Sequence, residues 1–405
     1  MPLRKVIVIT SRSRAENARG KIHGVNTSEL LRLRLHHQQL TNARSRQPAE
    51  VVGWLVAMQA QEYAMSKWAI ALRLAGKVRD ADVEQAFDAG KILRTHVMRP
   101  TWHFVTPEDI RWLLALTAPR VHAASAYMYR QLELDAAIFR RSEAVIERAL
   151  QAHRFLTRTA LQSELARSRV KASGPRLGYL MMHAELEGLI CSGPREGLQF
   201  TYALLDARAP RMRTLSRLSA LEELSRRYFA SRGPATAQDF ASWSGLTLTD
   251  ARAGLESLGP DFAREDIDRR VHAFRPAGRG LRSAIGSAFL LPDYDEYVMS
   301  YKDRSALRST RELTLAYNRM IVMDGQIVGS WQRSVAGDSV SVEADCRMPR
   351  ASANARVLAG AIRRFAAFAT PLRHIRQKEH VQAREQQQRE RKQRRVRHPT
   401  GRRPL

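Results

Sequence analysis

Ile92-Leu93-Arg94-Thr95-His96-Val97-Met98-Arg99-Pro100-Thr101-Trp102-His103-Phe104-Val105 is the stretch on which the fold turns. Residues 93–97 and 101–105 are rich in β-branched, aromatic and aliphatic side chains and flank a tight Met98-Arg99-Pro100 turn, so they predict a hairpin. Upstream the apolar period is helical. Leu30, Leu31, Leu33 and Leu35 give residues 28–39 an apolar face, with Thr27 and Ser28 as N-cap candidates. Pro48 opens a second helix in the favourable first-turn position, with Val51, Val52, Leu55 and Val56 as its buried stripe. Residues 66–74 form a third helix, and another short one precedes the hairpin. Helices followed by a hairpin is the winged-helix order.

The order returns twice. Residues 143–153, 157–167 (capped by Thr157) and 175–189 read as helices, and residues 191–205 as strands around Gly193-Pro194-Arg195-Glu196-Gly197. Then residues 218–231 are helical, residues 236–258 hold two helices broken at Ser244-Gly245, and residues 261–274 read as a short wing. After Gly286 the runs turn short and β-like, at 288–291, 297–301, 319–323, 327–333 and 339–344, with turn signals at Asp324-Gly325 and Gly337-Asp338. An amphipathic helix at 353–369 closes this part. The expected fold class is α+β: winged helices at 26–125, 140–210 and 214–282, then a small β-barrel-like domain at 286–370. Residues 1–25 and 371–405 read as disordered basic ends.

Charge narrows the partner. The 405 residues carry 67 Lys and Arg against 40 Asp and Glu, a net +27. The first 50 residues account for +7 and residues 371–405 for +9, which leaves +11 on the body. A basic body points to a protein that tracks phosphates, and the excess of Arg over Lys suits bidentate contacts with phosphates and guanine edges. A solvated basic surface in an arginine-rich proteome is the plainer account of the same excess. Cys191 and Cys346 form neither a disulfide framework nor a zinc spacing, so a reduced compartment is expected. No apolar run reaches the roughly 18–20 residues of a membrane span, and the expected location is cytoplasmic.

The segment most suggestive of chemistry is Gln59-Ala60-Gln61. Residues two apart on an α-helix point nearly opposite ways, so these amides converge only if the helix has ended. The apolar stripe of the second helix is spent by Met58, and extended backbone beyond it would aim both amides to one side. Taken alone, such a pair is an ordinary polar loop.

Four segments give it a context. Met58-Gln59-Ala60-Gln61-Glu62, the wing from Arg99 through Trp102 and His103 to Asp109, Leu291-Pro292-Asp293-Tyr294-Asp295-Glu296-Tyr297, and Asp324-Gly325-Gln326-Ile327-Val328-Gly329-Ser330-Trp331 resemble the AlkZ/YcaQ-type DNA glycosylases. The resemblance spans about residues 28–370, with the N-terminal extension and basic tail departing from it. It implies winged-helix enzymes that excise alkylated purines and unhook interstrand crosslinks, with a glutamine–aliphatic–glutamine motif at the catalytic centre. That motif maps onto Gln59, Ala60 and Gln61, and its glutamine-ended form resembles the crosslink-acting branch.

The implied chemistry is coherent. A purine alkylated at N7 or N3 already carries positive charge and leaves without a strong general acid. The site has to hold water against the anomeric carbon and face an oxocarbenium-like sugar, which amide oxygens can do. No lysine sits beside the pair to form a Schiff base, so a monofunctional enzyme without metal or organic cofactor is expected, acting as a monomer on double-stranded DNA with alkylated or crosslinked bases. His103 is a further candidate, although packing beside Trp102 and Phe104 or touching phosphate is the plainer role for a wing histidine. Asp293, Asp295 and Glu296 form an acidic cluster able to supply a base, or else to pair with Lys302, Arg304 or Arg308. Arg99, Arg176 and Arg195 are expected DNA contacts, or solvated surface arginines. The rival is a non-catalytic DNA-binding protein or transcription regulator, for which one winged helix and a dimerisation element would suffice.

Overall fold

Asn26, not Thr27 or Ser28, caps the first helix: its side chain accepts from the Glu29 N–H at 2.9 Å, and the helix α1 (Thr27–His37) buries Leu30, Leu31, Leu33 and Leu35. The structure, a computed structural model, describes residues 25–209, 214–278, 286–307, 319–336, 339–346 and 352–369. The basic ends expected to be disordered therefore lie outside the described residues, apart from Val25, which is buried.

Three runs then share one element order. In the first, α2 (Pro48–Leu55) leads into the short strand β1 (Ala57–Gln59), followed by α3 (Tyr63–Ala71), α4 (Asp80–Asp88) and the hairpin β2 (Leu93–Val97) and β3 (Arg99–Val105). The long α5 (Ile110–Gln131) leads away from it. In the second, α6 (Ala136–Ala152), β4 (Leu156–Thr157), α7 (Arg158–Arg167) and α8 (Gly174–Leu186) precede β5 (Ile190–Ser192) and β6 (Thr201–Leu204). Thr157 caps α7 as expected, accepting from the Ala160 N–H. After the one-turn α9 (Leu205–Arg208), the third run has α10 (Arg217–Arg232), α11 (Ala237–Ser244), α12 (Leu248–Glu256), and the hairpin β7 (Ala263–Ile267) and β8 (Arg270–Phe274). Each run also places one short extended segment against the second hairpin strand. β1 pairs with β3, β4 with β6, and Ala235 bridges to Ala273 of β8.

The expected β-barrel does not close. Among the described residues β9 (Ala288–Leu291), β10 (Met320–Met323), β11 (Gln326–Ala336) and β12 (Ser339–Cys346) form an open antiparallel sheet in the order β12-β11-β10-β9. The helix α14 (Ser352–Ala369) covers it, so one helix does what barrel closure would otherwise do. Phe365 of α14 meets Trp331 of β11 at 4.7 Å and Trp68 of α3 at 5.2 Å, ring centre to ring centre. The two indoles donate to neighbouring carbonyls of β9, Trp331 to Leu291 and Trp68 to Leu290. The strand expected at 297–301 is instead the single-turn α13 (Glu296–Met299), because the Asp295 carboxylate caps it through the Tyr297 N–H. Tyr297 and Tyr301, four residues apart, are both buried. Asp324-Gly325 does turn β10 into β11, with both residues at positive φ.

Two apolar cores result. One, with Phe139, Ile146, Leu161, Leu180 and Tyr202, belongs to the second run alone. The other is continuous through the first run, the third run and the open sheet, and takes in Met182, Leu186 and Cys191 of the second run. No described helix is long and apolar enough to cross a membrane.

Gly245 joins two of these runs and yields a prediction. It ends α11 at φ 73, and a Cβ there would collide with the carbonyl oxygen of Met98 in the β2–β3 turn. Gly245→Ala should lower stability by at least about 1–2 kcal/mol from the left-handed backbone alone, measured by thermal or urea unfolding. Unchanged stability would show that the turn yields freely.

Candidate active site

The motif occupies residues that the other runs lack. In the second and third runs the extended segment passes straight into a threonine N-cap, Thr157 and Thr236. In the first, Ala60, Gln61 and Glu62 intervene between β1 and α3. Gln59 is the last residue of β1 and lies opposite His103 of β3, which in turn lies opposite Thr95 of β2. Residues directly across a sheet share a face, so Gln59, His103 and Thr95 form one row.

Three backbone groups at Gln59 and Ala60 are held. The Gln59 N–H donates to Glu296 Oε1 at 2.9 Å, the Ala60 N–H donates to the Trp102 carbonyl at 2.8 Å, and Arg94 Nε donates to the Ala60 carbonyl at 2.9 Å. Arg94 is itself fixed between Trp102 and Phe200, 4.3 and 4.6 Å from the two ring centres. Upstream, Val56 has φ 65, a strained region for a β-branched residue. Arg232 holds that strain by donating to the carbonyls on either side, Leu55 at 2.8 Å and Ala57 at 3.0 Å. The rest of its guanidinium meets Glu296 Oε2 at 2.8 Å.

The side chain of Gln59 is treated differently. It is 8% exposed, and its Oε1 is buried with no hydrogen-bond partner among the described residues. A buried acceptor left without a donor is costly unless something donates to it, and a water or substrate group is the natural donor. Gln61 lies two residues on, in the bend before α3, and is exposed. The link expected to be extended through both glutamines is strand only up to Gln59 and bends at Gln61.

His103 is fully buried. Its Nδ1 lies 2.9 Å from the Thr101 carbonyl, which can only accept, so Nδ1 carries the proton and Nε2 faces an Arg99 N–H at 3.3 Å. Burial, and then the nearby Arg99 charge, lower its pKa to about 3. It is a neutral imidazole that positions Arg99.

The carboxylates expected as bases are built into the scaffold. Asp295 is fully buried and grips Arg73 with both oxygens, at 2.8 and 2.9 Å. Asp293 pairs with Arg319 at 3.0 Å. The partners seen are Arg73 and Arg319, because the chain returns the end of α3 and the start of β10 to this turn; Arg308 lies outside the described residues. Glu296 faces the motif's backbone. Burial alone would raise its pKa, but Arg232, the Gln59 N–H and Arg99 hold it below the usual carboxylate range. Trp243 Nε1 donates to its Oε2 at 2.9 Å, and the Ser300 hydroxyl lies 3.3 Å away.

Of the expected DNA contacts, only Arg99 sits at the motif. Arg176 donates to the carbonyls of Lys171 and Leu132. Arg195 turns inward over the rings of Tyr63 and Phe200, at 5.3 and 5.1 Å. Sequence reasoning missed Arg232, Arg94 and Trp243 altogether. The only available signal was the acidic Asp295-Glu296 pair set among apolar residues of a basic chain.

Two predictions test this wiring. Glu296→Gln keeps the shape but leaves the buried Arg232 charge uncompensated, and loss of one partner of a buried pair typically costs about 3–5 kcal/mol. Unfolding stability within 1 kcal/mol of wild type, by this same scale, would deny the pair its structural role. The second concerns pH. His103 and His37, the latter also lowered by burial to about 4, both protonate more readily in the unfolded chain, near 6.5. Between these values the unfolded state binds more protons, so the two contribute full stability above about 6.5 and lose it as pH falls towards 4 and then 3. His103→Gln should flatten the acid limb of a Tm-against-pH curve; an unchanged limb would contradict the buried neutral imidazole.

Comparison with known proteins agrees with the geometry. The family described as DNA glycosylase AlkZ-like matches residues 52–368. A Streptomyces sahachiroi protein named interstrand DNA cross-link repair glycosylase is 24% identical over 333 residues, covering 74% of this chain and 85% of its own. The solved structure of Streptomyces sahachiroi DNA glycosylase AlkZ has a similar fold, with a TM-score of 0.68 at 20% identity over 85% of this chain and 97% of its own. The matched region covers the glutamine motif, the buried ion pair and the open sheet, and the chain belongs to the AlkZ-like DNA glycosylase family.

Proposed function

We propose that the protein is a monofunctional, monomeric DNA glycosylase that hydrolyses the N-glycosidic bond of cationic N7- or N3-alkylated purines in duplex DNA. The observation that carries this is Gln59 Oε1, a buried acceptor without a donor among the described residues, on a backbone pinned from three sides. Crosslinked duplexes join the substrates by the name of the curated relative. The three helix–strand–helix–helix–hairpin runs are winged-helix units at 26–125, 140–210 and 214–282, tracking one duplex with a basic body, and 286–370 is the sheet domain.

In this reading Gln59 and Gln61 accept from a water held against the anomeric carbon. The bond to the base breaks with its electron pair, which neutralises the purine's positive charge. The water adds to the sugar and its proton passes to solvent. Glu296, Asp293 and Asp295 are occupied by arginines and His103 is neutral, so these groups supply no strong acid. The lesion's own charge replaces it. Arg99, beside His103, is the DNA contact at the site.

Single-turnover excision at saturating protein tests the proposal. Gln59→Ala and Gln61→Ala should each slow release of N7-methylguanine by about 10²–10³ while Tm changes little, the usual loss for one transition-state group. Uracil and 8-oxoguanine, which are neutral, should remain bound to their sugars. Wild-type rates in both variants would sink the assignment. Tight binding without any release would favour the regulator, and efficient uracil removal would require a true acid.

A further inference from the structure

The seam between the two apolar cores carries a second group of chemistry-bearing side chains, away from the glutamine motif in the sequence. His122 lies on α5, which belongs to the larger core, while His183 and Glu187 lie on α8 and at its C-terminal end, and α8 buries Met182 and Leu186 in the larger core and Leu180 and Met181 in the smaller one. Each offers one donor atom, and the three atoms lie within 4.8 Å of one another. Glu187 Oε1 is 3.0 Å from His122 Nε2, so the carboxylate and that nitrogen already face one another.

The other nitrogens of both rings are engaged. The Tyr129 hydroxyl lies 2.9 Å from His122 Nδ1, and Glu143 Oε1 lies 2.7 Å from His183 Nδ1. His183 also stacks on Phe139 with ring centres 3.6 Å apart, which fixes its orientation. A carboxylate or hydroxyl on one imidazole nitrogen, with the other nitrogen turned to a shared centre, is how proteins prepare histidines for a metal. Two imidazoles and a carboxylate, with water in the fourth position, form a tetrahedral set suited to zinc.

We propose that His122, His183 and Glu187 bind one zinc ion, with Tyr129 and Glu143 orienting the two imidazoles. The ion would staple α5 to α8 and fix the angle between the core that holds the glutamine motif and the separate core of the second run. A helix–helix contact made by hydrogen bonds alone is the competing account, and it predicts no metal dependence.

Full-length protein stripped with a chelator and titrated with Zn(II) by calorimetry decides between them, with Co(II) as a spectroscopic probe. One equivalent should bind and raise Tm. His122→Ala and His183→Ala should abolish uptake, and Glu143→Gln should weaken it about 10–100-fold, as loss of an outer partner does. Glu187 is exposed, so Glu187→Gln does not endanger the fold, and it should weaken binding about tenfold or more. If either histidine variant fails to fold, the two glutamine variants carry the test. No uptake by the wild type would overturn the site. Uptake and Tm shift unchanged in Glu187→Gln and Glu143→Gln would also overturn it, assigning the ion to other histidines among the 12 in the chain.

Discussion

Arg232 and Glu296 meet at 2.8 Å with their side chains essentially removed from water. Burying two opposite charges seldom adds net stability, since desolvation offsets most of their attraction. What it adds here is specification. The guanidinium also takes the carbonyls of Leu55 and Ala57, and the carboxylate also takes the N–H groups of Gln59 and Trp243. Three distant segments, α10, the start of α13 and the α2–β1 junction, satisfy these groups only in one arrangement. That arrangement forces Val56 into the left-handed region and sets Gln59 at the end of β1.

A second buried pair repeats the device. Arg73, in the turn after α3, binds Asp295 and donates to Gln38 Oε1, and the Gln38 amide reaches Glu296's carbonyl and the Tyr301 hydroxyl. A third tie, partly buried, runs from Arg227 on α10 to Asp109 before α5. Acids and arginines that a DNA-binding surface would display are thus spent on joining the first run, the third run and the open sheet. The continuous core runs through the same parts and also takes in Met182, Leu186 and Cys191 of the second run.

This placement shapes the chemistry. A site whose carboxylates are locked to arginines and whose histidine is neutral offers amides and little acid strength. It suits a leaving group that already carries positive charge, and it disfavours ordinary bases, which do not. In the proposed reading, selectivity comes from the weak acid as much as from any contact with the lesion.

Local physics made a large part of this legible in the sequence. The Pro48 helix start, the Thr157 cap, the Ser244-Gly245 break and the Asp324-Gly325 turn depend on residues within a few positions of one another, and they appear where the pattern put them, whereas α6 starts seven residues earlier than its pattern and α5 was not expected. The motif drew attention to Gln59 and Gln61, and the structure puts them at and just beyond the end of β1. The misreadings have one source. Residues 297–301 look strand-like, but the Asp295 cap and the buried Tyr297 and Tyr301 make a helical turn, and the expected barrel is an open sheet because α14 covers it. The acidic cluster looks like spare catalytic carboxylate until Arg73, Arg232 and Arg319 arrive from as far as 222 positions away. Short-range sterics and hydrogen bonding determine elements, so sequence alone carried them. The pairing of buried charges and the orphaned oxygen of Gln59 depend on which segments the core brings together, and only the tertiary structure decided that.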